Sequence, residues 1–196
     1  MESNISYPYK ALDGTITMSG GAVEYLVSEV RDYRFVLEGP KEYLVKLNLG
    51  FFSERHKAMV LDIAEVAYAV FKGLISVKDP RTSASLRLED IFSKYSGRRT
   101  DWVKFTVLLD LRDRGRRAKA GFEPNSLLYV KGSEKVMVFV TEENSPIRAG
   151  RLLEWIKSAL SKGYQPVLAV VDAHGDVTYY TMSAVRINEL RGALGW

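Results

Sequence analysis

The chain has no cysteine at all and only two histidines, His56 and His174, among its 196 residues. The first absence removes disulfides, thiolate zinc sites and thiol catalysis together. The second leaves too few imidazoles, too far apart in sequence, for a histidine-built metal site. Neither a metal nor a cofactor is therefore expected. No apolar run approaches the ~18–20 residues of a membrane-spanning helix, so no membrane partner is expected. The opening residues MESNISYPYK lack the charged-then-apolar pattern of a secretory leader. The expectation is a cytoplasmic protein.

What is present is ordinary globular material with an uneven charge. The chain is 46% hydrophobic and 27% charged, enough for one domain or two small ones with real cores. The net charge of +4 is not spread evenly. Residues 81–140 hold thirteen Lys and Arg against seven Asp and Glu, whereas residues 1–80 are slightly acidic and residues 141–196 are neutral. A local cationic excess favours an anionic partner, phosphate above all. The densest part is Arg112, Arg114, Arg116, Arg117 and Lys119, five cations within eight residues that include only Asp113 as an acid. Either RNA phosphate or an acidic loop of a partner protein suits that run.

In the first half, residues 1–18 show no period and are expected to form an arm or edge strand. Val23, Leu26, Val27 and Val30 are spaced as one helix face, which predicts a helix over 22–32. Tyr43, Val45, Leu47 and Leu49 alternate, which predicts a strand over 42–49. Strands are also expected at 34–37, 58–61 and 74–77. Asp62 followed by Glu65 is a capping-box pattern that opens a helix over 63–72, closed by Gly73. DPRTSAS at 79–85 reads as a linker, and Leu88, Ile91 and Phe92 mark a helix over 86–95. The domain boundary is placed between about residues 93 and 100.

In the second half, Thr100 is expected to cap a helix over 101–114 whose apolar face is Val103, Val107, Leu108 and Leu111. A basic strand at 116–120, strands at 127–130 and 136–140, and a helix after Ser145-Pro146 follow. The continuous run PVLAVV at 166–171 predicts a strand covered on both faces. A turn at 172–176, a returning strand at 177–182, and a last strand or helix within 184–196 complete the chain. The fold class is α+β, in two small α/β domains: residues 1–95, and residues 100–196 as a mixed sheet flanked by helices.

These residues resemble a known family. LLDLRDRGRRAKAGF, then SLLY, then VMVFV, a helix, and VLAVVDAHGDVTYY are similar to the catalytic-type domain of the tRNA-splicing endonucleases. MVLDIAEVAYAVFKGLISV is similar to the N-terminal domain of the same family, in the right order. The resemblance spans most of residues 59 to 182. It implies a metal-independent endoribonuclease assembly that cuts bulged RNA at exon–intron junctions and leaves a cyclic phosphate. The implied site is a histidine as general acid or base, a tyrosine that activates the 2′-hydroxyl, and a lysine whose charge steadies the phosphate.

Only one of the three carries over. Tyr129 ends the SLLY strand and matches the tyrosine. Ser133 stands where the histidine would be, and a hydroxyl cannot shuttle protons near neutral pH as imidazole does. Tyr164 and Gln165 occupy the lysine's place. The resemblance thus implies a non-catalytic, structural subunit that joins a catalytic chain of the same family, two plus two, on precursor tRNA. In this reading Arg112, Arg114, Arg116, Arg117, Lys119 and Lys157 bind RNA, Lys157 standing where the family places an arginine at the bulge. The turn with Asp172, His174 and Asp176 is the subunit-docking loop. Two alternatives remain: a nuclease with a shifted site drawing on Tyr129 with Lys131, Lys135 or Lys162, and a plain RNA-binding scaffold.

Overall fold

The computed structural model describes residues 22–98 and 100–183. The expected arm at 1–18 and the last element within 184–196 lie outside the described residues. The first half forms β1 (Val23–Arg31), β2 (Arg34–Glu38), α1 (Lys41–Lys46), β3 (Phe51–Ser53), β4 (Ala58–Asp62), α2 (Ile63–Phe71), β5 (Ile75–Lys78) and α3 (Leu88–Tyr95). The second forms α4 (Asp101–Asp113), β6 (Lys119–Ala120), β7 (Ser126–Lys131), β8 (Glu134–Glu142), α5 (Ala149–Ser161), β9 (Gln165–Val171) and β10 (Val177–Thr181). Each half carries a five-stranded mixed sheet, ordered β3-β4-β2-β1-β5 and β10-β9-β8-β7-β6. One pair in each is parallel, β1 with β5 and β8 with β9. The fold is α+β.

Two elements differ from expectation. Residues 22–32 form a strand, not a helix. Tyr25 and Val27 point inward as period two requires, but the register shifts between Val27 and Glu29, so Val30 rather than Glu29 returns to the core side. A bulge adds one residue to a two-residue period and so imitates the three-and-four spacing of a helix. Residues 41–46 form a helix, not a strand. The apparent alternation fails because Val45 is 60% exposed while Leu44 and Leu49, five apart, are buried. Gly39-Pro40 ends β2 and sets the start of this helix.

The basic strand at 116–120 shrinks to Lys119–Ala120. The stretch at 79–85 is an ordered turn, because Asp79 accepts the N–H groups of Arg81 and Thr82 and the Tyr95 hydroxyl. Thr100 precedes α4 but its hydroxyl turns to Asn125; Asp101 instead gathers Ser96 Oγ and the N–H groups of Gly97 and Arg98. α5 starts at Ala149 with Arg148 at its cap, after Ser145-Pro146 and not at it. As expected, Asp62 and Glu65 cap α2 reciprocally, and Gly73 and Gly163 follow α2 and α5.

One apolar core runs through both halves. α2 lies against the first sheet, α3 packs on α2 and reaches the sheet through Tyr95 on Phe35, α4 lies against the inner face of the second sheet, and α2 packs on α4. Phe105 of α4 meets Phe92 and Phe71 edge-on at 5.6 and 5.8 Å. The outer face of the second sheet buries Leu128, Met137 and Phe139 under Trp155, Ile156 and Ala159 of α5.

Polar groups bind the halves at the same junction. Lys104 of α4 is 2% exposed and its Nζ donates to Asp62 Oδ2 at 2.7 Å. The other oxygen of Asp62 caps α2 through Ala64 N–H. Glu65 is buried and accepts the N–H groups of Gly50 and Asp62 from the first half and of Ala120 from the second. Burial above all, then the Asp62 charge, raises its pKa; the three N–H groups act in the opposite direction. Removing one member of a buried pair leaves a charge stranded, a cost of ~3–5 kcal/mol. Lys104→Met is therefore expected to lower the urea-unfolding free energy by about 3 kcal/mol, and Lys104→Met/Asp62→Asn to recover part of that loss.

Candidate functional site

The motif tyrosine sits on β7. Tyr129 lies opposite Val136 on β8, and Val136 lies beside Gln165 on β9. Residues paired across neighbouring strands point to the same face, so Tyr129 and Gln165 share one face about two strand spacings, roughly 9–10 Å, apart. It is the inner face, where Tyr129 and Val136 pack on the α4 core. Tyr164, one residue earlier, turns to the outer face and meets Phe122 edge-on at 6.0 Å. Gln165, not Tyr164, is thus the residue facing the tyrosine. Its amide donates to Met182 O at 3.3 Å.

No imidazole accompanies them among the described residues. Ser133 is exposed in a two-residue hairpin between the paired residues Lys131 and Glu134. Gly132 makes that tight turn with φ +61°, and the turn is too short to carry a side chain back over Tyr129. His56 is in the first half, 3.6 Å from Glu29. His174 is exposed beyond the other end of β9, about 20 Å of strand from Gln165. The lysines offered for a shifted site also fail to converge. Lys162 lies over the Phe122 ring at 5.4 Å and bonds Ser158 Oγ, on the α5 side of the sheet. Lys135 is exposed, and Lys131 shares the strand face of Tyr129 but is exposed at the hairpin end.

The basic run divides by task. Arg112 is turned inward: it donates to the carbonyls of Ala118, Leu47 and Asn48 and lies over the Tyr68 ring at 4.9 Å. Arg117 donates to Lys46 O at 2.7 Å, and Asn48 returns a bond to Arg117 O. These two arginines strap the end of α1 to the second half, so their cations serve the fold first. Arg114 pairs with Asp110 at 2.8 Å. Arg116 is half-buried near Tyr129 and has no carboxylate partner among the described residues. Lys119 lines a groove between the halves, and Lys157 is exposed on α5. Gly121 of the motif packs so closely on buried Ser126 that a Cβ there would collide with its hydroxyl.

The same α4 end anchors the edge strand. Tyr179 of β10 donates its hydroxyl to Asp110 Oδ2 at 2.7 Å, beside Arg114. Sequence reading missed this pair; the acid one helix turn before Arg114 was its only signal. The turn beyond β9 is self-organised: Asp172 Oδ1 accepts the N–H groups of His174 and Asp176. Those donated bonds, Asp176's first, hold the Asp172 carboxyl below its usual range. The Asp176 side chain is exposed and has no partner among the described residues. No cluster of metal-ligating side chains occurs among the described residues, and no helix there is long and apolar enough to cross a membrane.

Burial lifts the Tyr129 phenol, with the Arg116 charge pulling the other way. Tyr179 rises much further, through burial first, then its bond to Asp110 and that residue's charge. A raised phenol pKa means the proton stays on as pH climbs. In an NMR titration of ring-labelled tyrosines, Tyr179 is expected to stay protonated at pH ~11, where an ordinary tyrosine of pKa ~10 is mostly ionised. Asp110→Asn is expected to bring its titration down.

Comparison with known proteins fits this geometry. Residues 102–179 match the family described as tRNA intron endonuclease, catalytic C-terminal domain. The chain is similar to a tRNA-splicing endonuclease of Thermococcus kodakarensis, 31% identical over 168 residues, covering 78% of this chain and 98% of that protein. A tRNA-splicing endonuclease of Pyrococcus furiosus is 33% identical over 139 residues, covering 68% of this chain and 81% of its own length.

Proposed function

The chain belongs to the tRNA-splicing endonuclease family, and we propose that within it this protein is a structural subunit: it helps remove introns from precursor tRNA without cutting RNA itself. The observation that carries this is the face of Tyr129. Gln165 stands across from it, an exposed serine occupies the hairpin, and neither histidine is near. Metal-free RNA cleavage needs a group to take the 2′-hydroxyl proton and another to return one to the leaving oxygen. It also needs a fixed cation at the crowded phosphate. A tyrosine whose pKa is raised is a poor base at neutral pH, and glutamine brings no charge.

The frame that would hold such a site is nevertheless intact. The motif helix, the sheet, the glycine against Ser126 and the anchored edge strand are all built. We take the partner to be a histidine-bearing catalytic chain of the same family, in a two-plus-two assembly on precursor tRNA. The turn carrying Asp172, His174 and Asp176 suits docking into it. It is pre-shaped by its own hydrogen bonds, so little conformational freedom is left to lose on binding, and the exposed Asp176 carboxylate has no partner among the described residues.

Reconstitution tests this. The purified chain alone is expected to leave an RNA with a bulge-helix-bulge junction uncut. Mixed with a catalytic chain of the family it is expected to co-elute on size exclusion and support cleavage. Asp176→Lys is expected to weaken co-elution about tenfold or more. Cleavage by the chain alone would refute the assignment, and so would a monomer indifferent to the second chain.

A further inference from the structure

Between the halves lies an open groove of about 850 Å3. It runs along the sheet faces turned away from α2 and α4, with Val36, Val60 and Leu128 in its lining. Its acids are largely committed. Glu29 faces His56, Asp32 faces Arg31 at 3.8 Å, Asp62 holds Lys104, and Glu65 is occupied by three backbone N–H groups. Of the lining acids, Glu65 is bonded by backbone N–H groups alone and Glu123 has no side-chain partner among the described residues. Against it stand Arg34, Arg55, Arg98 and Lys119, none with a carboxylate partner among those residues. The lining holds as many acids as Lys and Arg residues, but Asp62 is held by Lys104 and Glu65 is 2% exposed, so the four unpaired cations are the charges the groove presents most freely.

Its rims are aromatic. Phe51 is 52% exposed on one side and Phe122 57% exposed on the other. Arg34 lies 5.9 Å from the Phe51 ring centre, Lys162 lies 5.4 Å from that of Phe122, and Arg98 stacks on Tyr33 at 4.2 Å. Such stacking narrows the rotamers of long cationic side chains before any ligand arrives.

We propose that this groove binds a short single-stranded stretch of RNA, its phosphates on Arg34, Arg55, Arg98 and Lys119 and its bases against Phe51 and Phe122. Cations track the backbone and exposed rings take base faces, which is the pattern of sequence-tolerant single-strand binding. An acidic peptide would use the cations but leave both rings in water. The proposal rests on the reading of this chain as part of an RNA-processing enzyme, but not on which subunit cuts.

The test is fluorescence anisotropy of the full chain, without a partner, against a labelled unstructured RNA of about a dozen nucleotides at about 50 and 200 mM salt. Phe51→Ala and Phe122→Ala are each expected to weaken binding about tenfold. Arg55→Glu is expected to weaken it and to flatten the salt dependence by about one unit of slope or more. Arg81→Glu, outside the groove, is expected to change affinity by less than about twofold, and all variants are to match the parent in melting temperature. Affinity within about twofold of the parent in both phenylalanine variants overturns the proposal. So does loss of oligoglutamate binding in Arg55→Glu with RNA binding unchanged, which would make the groove a protein-docking site. Because no second chain is present, this result can fail independently of the reconstitution assay.

Discussion

The junction of α2 with α4 governs the rest of the molecule. Asp62 ends β4, caps α2 with one oxygen and holds the buried Lys104 ammonium with the other. Three residues on, Glu65 collects N–H groups from β3's approach, from its own cap and from β6. Neither acid could be buried alone, because an unpaired interior charge costs several kcal/mol. Each is compensated only when both halves are in place, so these contacts fix the placement of the second sheet on the first.

That placement decides where the motif residues of this chain sit. Once α4 is held by Lys104 at its start, its far end brings Arg112 onto the carbonyls of Leu47 and Asn48 just past α1 and Asp110 onto Tyr179. The cations richest in the sequence are thus divided between holding the fold and facing solvent. The groove beside them draws its charge from elsewhere, chiefly β2, the β3–β4 turn and the α3–α4 turn. Tyr129 remains in its frame as a half-buried aromatic, with Val136 and Gln165 along its face.

Much of this was legible in the residues. The capping box at Asp62, the covered strand at 166–171 and the succession of elements along the second half follow from patterns with a direct physical cause. The failures also have causes. At 22–32 a bulge disguised a strand as a helix, and at 42–49 an accidental alternation disguised a helix as a strand. Tyr164 and Gln165 illustrate how a single residue changes face on a sheet; only the register of β7, β8 and β9 tells which of them meets Tyr129. The groove was invisible because its walls combine residues 29–65 with Arg98, residues 119–128 and Tyr164, and no local pattern encodes that.

The central claim is that Tyr129 is a structural remnant and that chemistry belongs to the partner. Single-turnover cleavage by a complex carrying Tyr129→Phe in this chain addresses it directly. The account predicts a rate within about twofold of the parent complex, since removing a hydroxyl that does not touch the reacting atoms leaves the barrier unchanged. A loss of a hundredfold or more, the scale expected for a general acid or base, would contradict it.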